Sequence, residues 1–252
     1  MTRPLERPNP SAMQQKTHPP LLIFDLDGTL ADTAADLVAS LNVTLASEGL
    51  KSTALQDARA MVGGGARALI ERGLAANRFA ASEAKIDALL ADFLAHYEAH
   101  IAERTVLFPG VIDALDRFEA AGFGFAVCTN KVEHASKLLL RALGVETRFR
   151  AICGKDSFEV FKPNGEALLK TIARAGGDPD RAFMIGDSKI DIEAARNAGV
   201  PVVAVDFGYT KEPIESFEPD RVIGHYDELW DAVHALRFAT RQSGLTRKSA
   251  HS

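Results

Sequence analysis

Apolar positions along this chain fall into short runs set between stretches that repeat like helices. The runs Leu21–Phe24, Phe123–Cys128, Phe149–Cys153, Ala182–Ile185 and Val202–Val205, with a weaker one at Arg221–Ile223, have the length and composition of strands covered on both faces. Between and after them, Val111–Ala121, Glu133–Leu143, Pro163–Ala175, Ile190–Ala198 and Tyr226–Arg237 read as amphipathic helices, the fourth closed by Gly199. Strands joined through helices require right-handed parallel crossovers. The predicted fold is therefore α/β, a doubly wound, Rossmann-like parallel sheet with helices on both faces.

One block breaks the alternation. Asp32–Leu50 opens on an N-cap residue, carries Leu37, Val38, Leu41 and Leu45 at helical spacing and ends at Gly49. Thr53–Met61, Ala66–Ala76 and Ser82–Ile101 follow as helices with no strand between them, separated by Gly63-Gly64-Gly65 and by a turn at Asn77–Ala81. Such a block predicts a small α-helical cap domain over residues 35–105, inserted into a core made of 19–34 and 106–238. Residues 1–18 and 239–252 are polar and without periodicity, and are expected to be disordered tails.

Composition narrows the setting. The chain has 252 residues, 46% of them apolar, with a formal net charge of -5, which argues against a nucleic-acid partner. No stretch approaches the length of a membrane span and the first twenty residues hold no apolar signal core, so the expected location is the cytoplasm, with no membrane partner. Cys128 and Cys153 are too few for a disulfide framework, and Cys128 lies in an apolar run as a buried thiol would.

The candidate chemistry gathers at strand ends. The first strand stops on Asp25-Leu26-Asp27-Gly28-Thr29, which places two carboxylates at a strand tip just as the chain turns, where open α/β sheets bind ligands. Asp25 is the expected nucleophile and Asp27 the acid/base, both served by Mg2+. Other parallel strands end on Thr129-Asn130 and Gly186-Asp187-Ser188, and Lys162 precedes Pro163 at a helix start. These residues suit phosphoryl transfer, where positioning and charge neutralisation do most of the catalysis. Thr129, Asn130 (by its side-chain amide or backbone) and Lys162 can hold phosphoryl oxygens. Asp25, the backbone carbonyl of Asp27, and Asp187 can share an Mg2+ ion. Asp191 stands where it can support Lys162 or a metal-bound water from behind. Gly63, Gly64 and Gly65, with Arg67 or Arg72 nearby, have two readings: a loop whose backbone approaches a small anion, or a flexible cap loop.

Taken in order, Asp25-Leu26-Asp27-Gly28-Thr29, Thr129-Asn130, Lys162-Pro163 and Gly186-Asp187-Ser188-Lys189-Ile190-Asp191 resemble the four motifs of the haloacid dehalogenase superfamily. Within that superfamily the chain is similar to phosphoglycolate phosphatases, through Val62-Gly63-Gly64-Gly65 with Leu69 and Arg72, Phe108-Pro109-Gly110-Val111, Thr129-Asn130-Lys131, and Phe207-Gly208-Tyr209 before Glu212-Pro213-Ile214. The resemblance implies an aspartyl-phosphate on Asp25, with Asp27 protonating the departing alkoxide and then deprotonating the attacking water. The implied substrate is a small phosphorylated anion, 2-phosphoglycolate first. A phosphatase for sugar phosphates, pyrophosphate or nucleotides, and a phosphomutase, are alternatives, as is a phosphorylatable signalling switch outside the enzymes. A monomer or homodimer is expected.

Overall fold

The computed structural model describes residues 18–59 and 61–236. The two expected tails and residues 237–238 lie outside the described residues, except His18, whose Nδ1 is 2.9 Å from the Gly176 carbonyl oxygen. In chain order the elements are β1 (Leu21–Phe24), β2 (Ala31–Asp32), α1 (Ala34–Ser47), α2 (Leu55–Arg59), α3 (Ala66–Ala76), α4 (Glu83–Ala99), β3 (Val106–Leu107), α5 (Val111–Ala120) and β4 (Gly124–Cys128). There follow α6 (Glu133–Ala142), β5 (Phe149–Cys153), α7 (Gly165–Arg174), β6 (Ala182–Gly186), α8 (Lys189–Ala198), β7 (Val202–Val205) and β8 (Arg221–Ile223). A helix over 229–236 ends the described chain.

The six core strands form one sheet in the order β5-β4-β1-β6-β7-β8, and every neighbouring pair is parallel. The fold is thus the expected doubly wound α/β sheet. β1 is central because all four of its side chains are apolar and can be covered on both faces. Leu22 and Phe24 enter one core with Phe125, Val127, Ile185 and Val203, while Leu21 and Ile23 enter the other with Leu168, Ile172, Met184 and Val202. Chain connections run outward from β1 on either side, so the sheet has its switch point at β1, where the crevice beyond the strand ends takes ligands.

Helices α1, α3 and α4 bury a third apolar cluster of their own, including Leu41, Leu45, Leu69, Ile70, Leu74, Leu89, Phe93 and Tyr97, and Ala135 of α6 packs into it from the sheet side. The chain passes between sheet and helices twice, at β2 and β3, which pair antiparallel through Ala31↔Leu107 and Asp32↔Val106. Asp32, read from sequence as a helix N-cap, is therefore a strand residue, and α1 starts only at Ala34 with Thr33 as its cap position. Two-residue strands carry no periodicity to read. The reading of Thr53–Met61 as a helix is also too long, since α2 spans only Leu55–Arg59. The described residues include no helix long and apolar enough to cross a membrane.

Candidate active site

The turn after β1 is fixed by its own backbone. Asp25 N–H donates to the Ile185 carbonyl at 2.9 Å, so β1 stays paired with β6 through Asp25, and the next residues curl back with Leu30 and Ala31 N–H both donating to the Leu26 carbonyl. Gly28 sits in this curl at φ +86, and a Cβ there would lie 2.4 Å from Asp187 Oδ2. Only glycine leaves that carboxylate its space.

Asp25, Asp187 and Asp191 form one buried acidic cluster, with a carboxylate oxygen of each within 4.8 Å of the others. Lys162, from the loop between β5 and α7, enters it as a buried ammonium 2.9 Å from Asp25 Oδ1 and 2.6 Å from Asp191 Oδ1. Burial alone would lower the Lys162 ammonium; Asp191 and Asp25 outweigh that and hold it above its usual range. Burial also pushes the Asp25 carboxyl up to about 6, against the pull of Lys162. Asp187 is raised well above its ordinary value by burial, then by Asp191 and Asp25. Its Oδ1 accepts from Thr29 Oγ1 at 3.2 Å and its Oδ2 from Tyr209 N–H at 2.8 Å. Asp191 is fully committed: besides Lys162, it accepts from Ser188 N–H and Oγ at 3.1 and 2.6 Å in the capping box of α8.

Asp27 belongs to a different environment. Lys131, just after β4, places its Nζ 3.0 Å from both Asp27 oxygens, and the same ammonium lies 4.5 Å from the centre of the Tyr97 ring of α4. Thr129 is buried at the tip of β4, with its Oγ1 accepting from Lys131 N–H at 3.3 Å. The Asn130 side-chain amide does not face the cluster unspent: its Nδ2 donates to the Lys162 carbonyl at 3.1 Å, tying together the loops that carry the two residues.

Asp25, Asp27, Thr129, Asn130 and Lys131 form one side of a cavity of about 200 Å³, and Leu37, Leu69, Leu90, Phe93, Leu94 and Tyr97 of the helices form much of the other. Gly63 and Gly65 reach this cavity, and a Cβ on Gly65 would come 3.0 Å from the Asn130 carbonyl oxygen, so the glycine loop packs closely on the loop after β4. The structure does not give the two arginines a common place. Arg67 lines the cavity but its guanidinium is held by Glu71 at 3.6 Å, Glu83 at 3.1 Å and Asp87. Arg72 donates to the Met61 carbonyl instead, bracing the glycine loop from behind.

Several residues here had no role readable from sequence. Tyr209 accepts at its hydroxyl from Thr33 and Ala34 N–H at 2.6 and 3.0 Å and donates to Asp32 at 2.9 Å, while its own N–H holds Asp187. It thereby joins β2 and the start of α1 to the acidic cluster. Gly208 lets Asp187 in, since a Cβ there would be 2.2 Å from the Asp187 Cβ. The motif Phe207-Gly208-Tyr209 was a signal for both, without indicating what they touch.

Three buried carboxylates face one buried ammonium, a group that could bind a cation once the acids are ionised. All the donors are hard oxygens at close range, as Mg2+ prefers. Asp191 already meets Lys162 on one oxygen and two Ser188 donors on the other, whereas Asp187 accepts one donor on each oxygen and Asp25 meets Lys162 on one oxygen, so Asp25 and Asp187 keep more acceptor capacity for an ion.

The sheet, with this acidic cluster at its switch point and the helices above it, defines the class as a phosphatase on a Rossmann-like core. The model of the family described as haloacid dehalogenase-like hydrolase matches residues 22–205, and the chain belongs to that family. Among its relatives, the phosphoglycolate phosphatase of Mesorhizobium japonicum is 49% identical over 210 residues, covering 83% of this chain and 92% of that protein. The phosphoglycolate phosphatase of Agrobacterium fabrum is 47% identical over 214 residues, 85% of this chain and 92% of the relative. A crystal structure of a predicted phosphoglycolate phosphatase from Haemophilus somnus superimposes with a TM-score of 0.80 at 28% identity, covering 86% of this chain and 98% of the other.

Proposed function

We propose that the chain hydrolyses 2-phosphoglycolate to glycolate and phosphate through an aspartyl-phosphate on Asp25. One observation carries the reading: two aspartates two residues apart occupy separate environments, which gives them separate tasks. Asp25 lies in the acidic cluster beside Lys162, and Asp27 lies outside it, gripped by Lys131.

In the first step an Asp25 oxygen attacks phosphorus and the bond from phosphorus to the glycolate oxygen breaks, with Asp27 giving its proton to that oxygen. In the second step Asp27 takes a proton from water as the water oxygen attacks phosphorus, and the bond to Asp25 breaks to release phosphate. Lys162 and Thr129 neutralise and hold the phosphoryl oxygens, with Asn130 fixing the Lys162 loop. Asp25, Asp187 and the Asp27 carbonyl would hold Mg2+, which supplies charge neutralisation at the phosphoryl group. Asp191 orients Lys162.

Residues 35–105 act as the cap over this site. Its apolar walls and small volume suit a compact anion and offer few partners for sugar hydroxyls or a base. The setting is the cytoplasm, with the protein acting as a monomer or homodimer. The test is kcat/KM in Mg2+ for 2-phosphoglycolate against sugar phosphates, pyrophosphate and nucleotides, repeated with EDTA. A clear preference for 2-phosphoglycolate that EDTA abolishes supports the reading. A preference for a sugar phosphate, or activity indifferent to EDTA, contradicts it.

A further inference from the structure

We infer that Lys131 and the Tyr97 hydroxyl form a carboxylate-reading subsite beside Asp27, which selects phosphoesters bearing an anion next to the ester carbon. The inference rests on the reaction proposed above and adds the residues that choose its substrate.

Two adjoining features point to an anion here. The Tyr97 ring is buried in the third apolar cluster and the residue lines the cavity, yet its hydroxyl, which feels the Lys131 ammonium, has no partner at close hydrogen-bond distance among the described residues. A buried hydroxyl without a partner is costly unless a ligand supplies one. The second feature is Lys131, whose side chain is buried and whose only carboxylate contact among the described residues is Asp27. An ammonium has three donors, and a second acceptor can be added without losing the first.

Substrate geometry brings the carboxylate to this point. Asp27 must come within hydrogen-bond distance of the leaving oxygen to protonate it. In 2-phosphoglycolate one carbon separates that oxygen from the carboxylate carbon, so the carboxylate oxygens lie about 3 Å further on. Lys131 Nζ is 3.0 Å from both Asp27 oxygens and extends from them toward Tyr97, in reach of that carboxylate. The other cations of the cavity are less suited. Arg67 is shared among three cap acids, and Lys155 lies 4.4 Å over the ring of half-exposed Phe161. Tyr97 belongs to α4 and Lys131 to the loop after β4, so the subsite is complete only while the helices sit over the core.

The test compares 2-phosphoglycolate with ethyl phosphate, which keeps the ester and lacks the carboxylate, using the full chain with Mg2+. The wild type prefers 2-phosphoglycolate by kcat/KM. Tyr97→Phe, which removes one oxygen and leaves the ring, reduces that preference by about 10- to 100-fold, through KM more than kcat. Lys131→Met reduces it further, and Lys131→Arg restores part of it. If the wild type has the preference and it survives in both Tyr97→Phe and Lys131→Met, the subsite is wrong and the reaction stands. If it is lost in Lys155→Met and kept in Tyr97→Phe, the anion is read at the rim instead and the inference falls. A wild type that hydrolyses no 2-phosphoglycolate overturns the proposed function itself.

Discussion

At the scale of single residues, the site depends on where side chains are missing as much as on where they are present. Gly28 and Gly208 flank Asp187, and a Cβ on either would collide with it. Gly208→Ala should displace the Asp187 carboxylate and raise the Mg2+ concentration needed for half-maximal activity by about 10-fold or more; an unchanged Mg2+ titration would show that Asp187 is not held by this fit. Asp27→Asn should lower kcat by about 10²- to 10⁴-fold, the usual share of a general acid, while Asp25 can still be phosphorylated. A loss confined to KM would remove Asp27 from proton transfer. Asp25 and Asp187 were legible because each follows directly on a strand that its apolar run identifies, and Asp191 because it stands in the first turn of the helix that follows. Tyr97 was not, since a tyrosine at helical spacing in an Ala- and Leu-rich segment reads as ordinary core. Lys131 stood next to Asn130 in plain view, but its contact with Asp27 exists only because β4 pairs with β1.

At the scale of elements, strands covered on both faces were easy to read: Leu21–Phe24 and Val202–Val205 have the bounds that their apolar runs indicate, and so does the weaker edge strand Arg221–Ile223, whose first residue is exposed. The links between sheet and helices were hidden. β2 and β3 are held by Asp36, an acid in the first turn of α1 that resembles a solvent-facing residue in sequence and is only 2% exposed in the structure. Its carboxylate accepts from Arg104 N–H at 3.0 Å and from Thr105 N–H and Oγ1 at 2.9 and 2.7 Å, fastening the start of α1 to the returning chain just before β3. Asp36→Ala leaves those donors unpaired and should cost about 3 kcal/mol, seen as a lower urea midpoint and faster hydrogen exchange at 104–107. A wild-type midpoint would mean that β2 and β3 hold without it.

At the scale of the whole molecule, charge joins stability to the reaction. Asp25 is raised by burial to about 6 from 3.8, and Asp187 is raised as well. For Asp25, between these values the unfolded chain has given up a proton that the folded chain still holds, so without metal the fold loses that contribution as pH rises through the window, and Asp187, raised in the same direction, adds a loss of the same sign. A divalent cation offsets charge that exists only once the acids ionise. Mg2+ should therefore raise Tm more at about pH 7.5 than at about pH 5, and an equal or larger shift at the lower pH would contradict the assignment of these acids as its ligands. The central claim is that Asp25 carries the phosphoryl group during turnover of 2-phosphoglycolate, and acid quenching of the Mg2+-loaded protein in the presteady state, followed by mass spectrometry of the peptide containing Asp25, tests it most directly. The expected result is a phosphoryl-sized mass gain on Asp25 that forms and decays at rates consistent with kcat, with neither mass gain nor phosphate release in Asp25→Asn. Phosphate released at the wild-type rate by Asp25→Asn, or turnover without phosphorylation of that peptide, would contradict it.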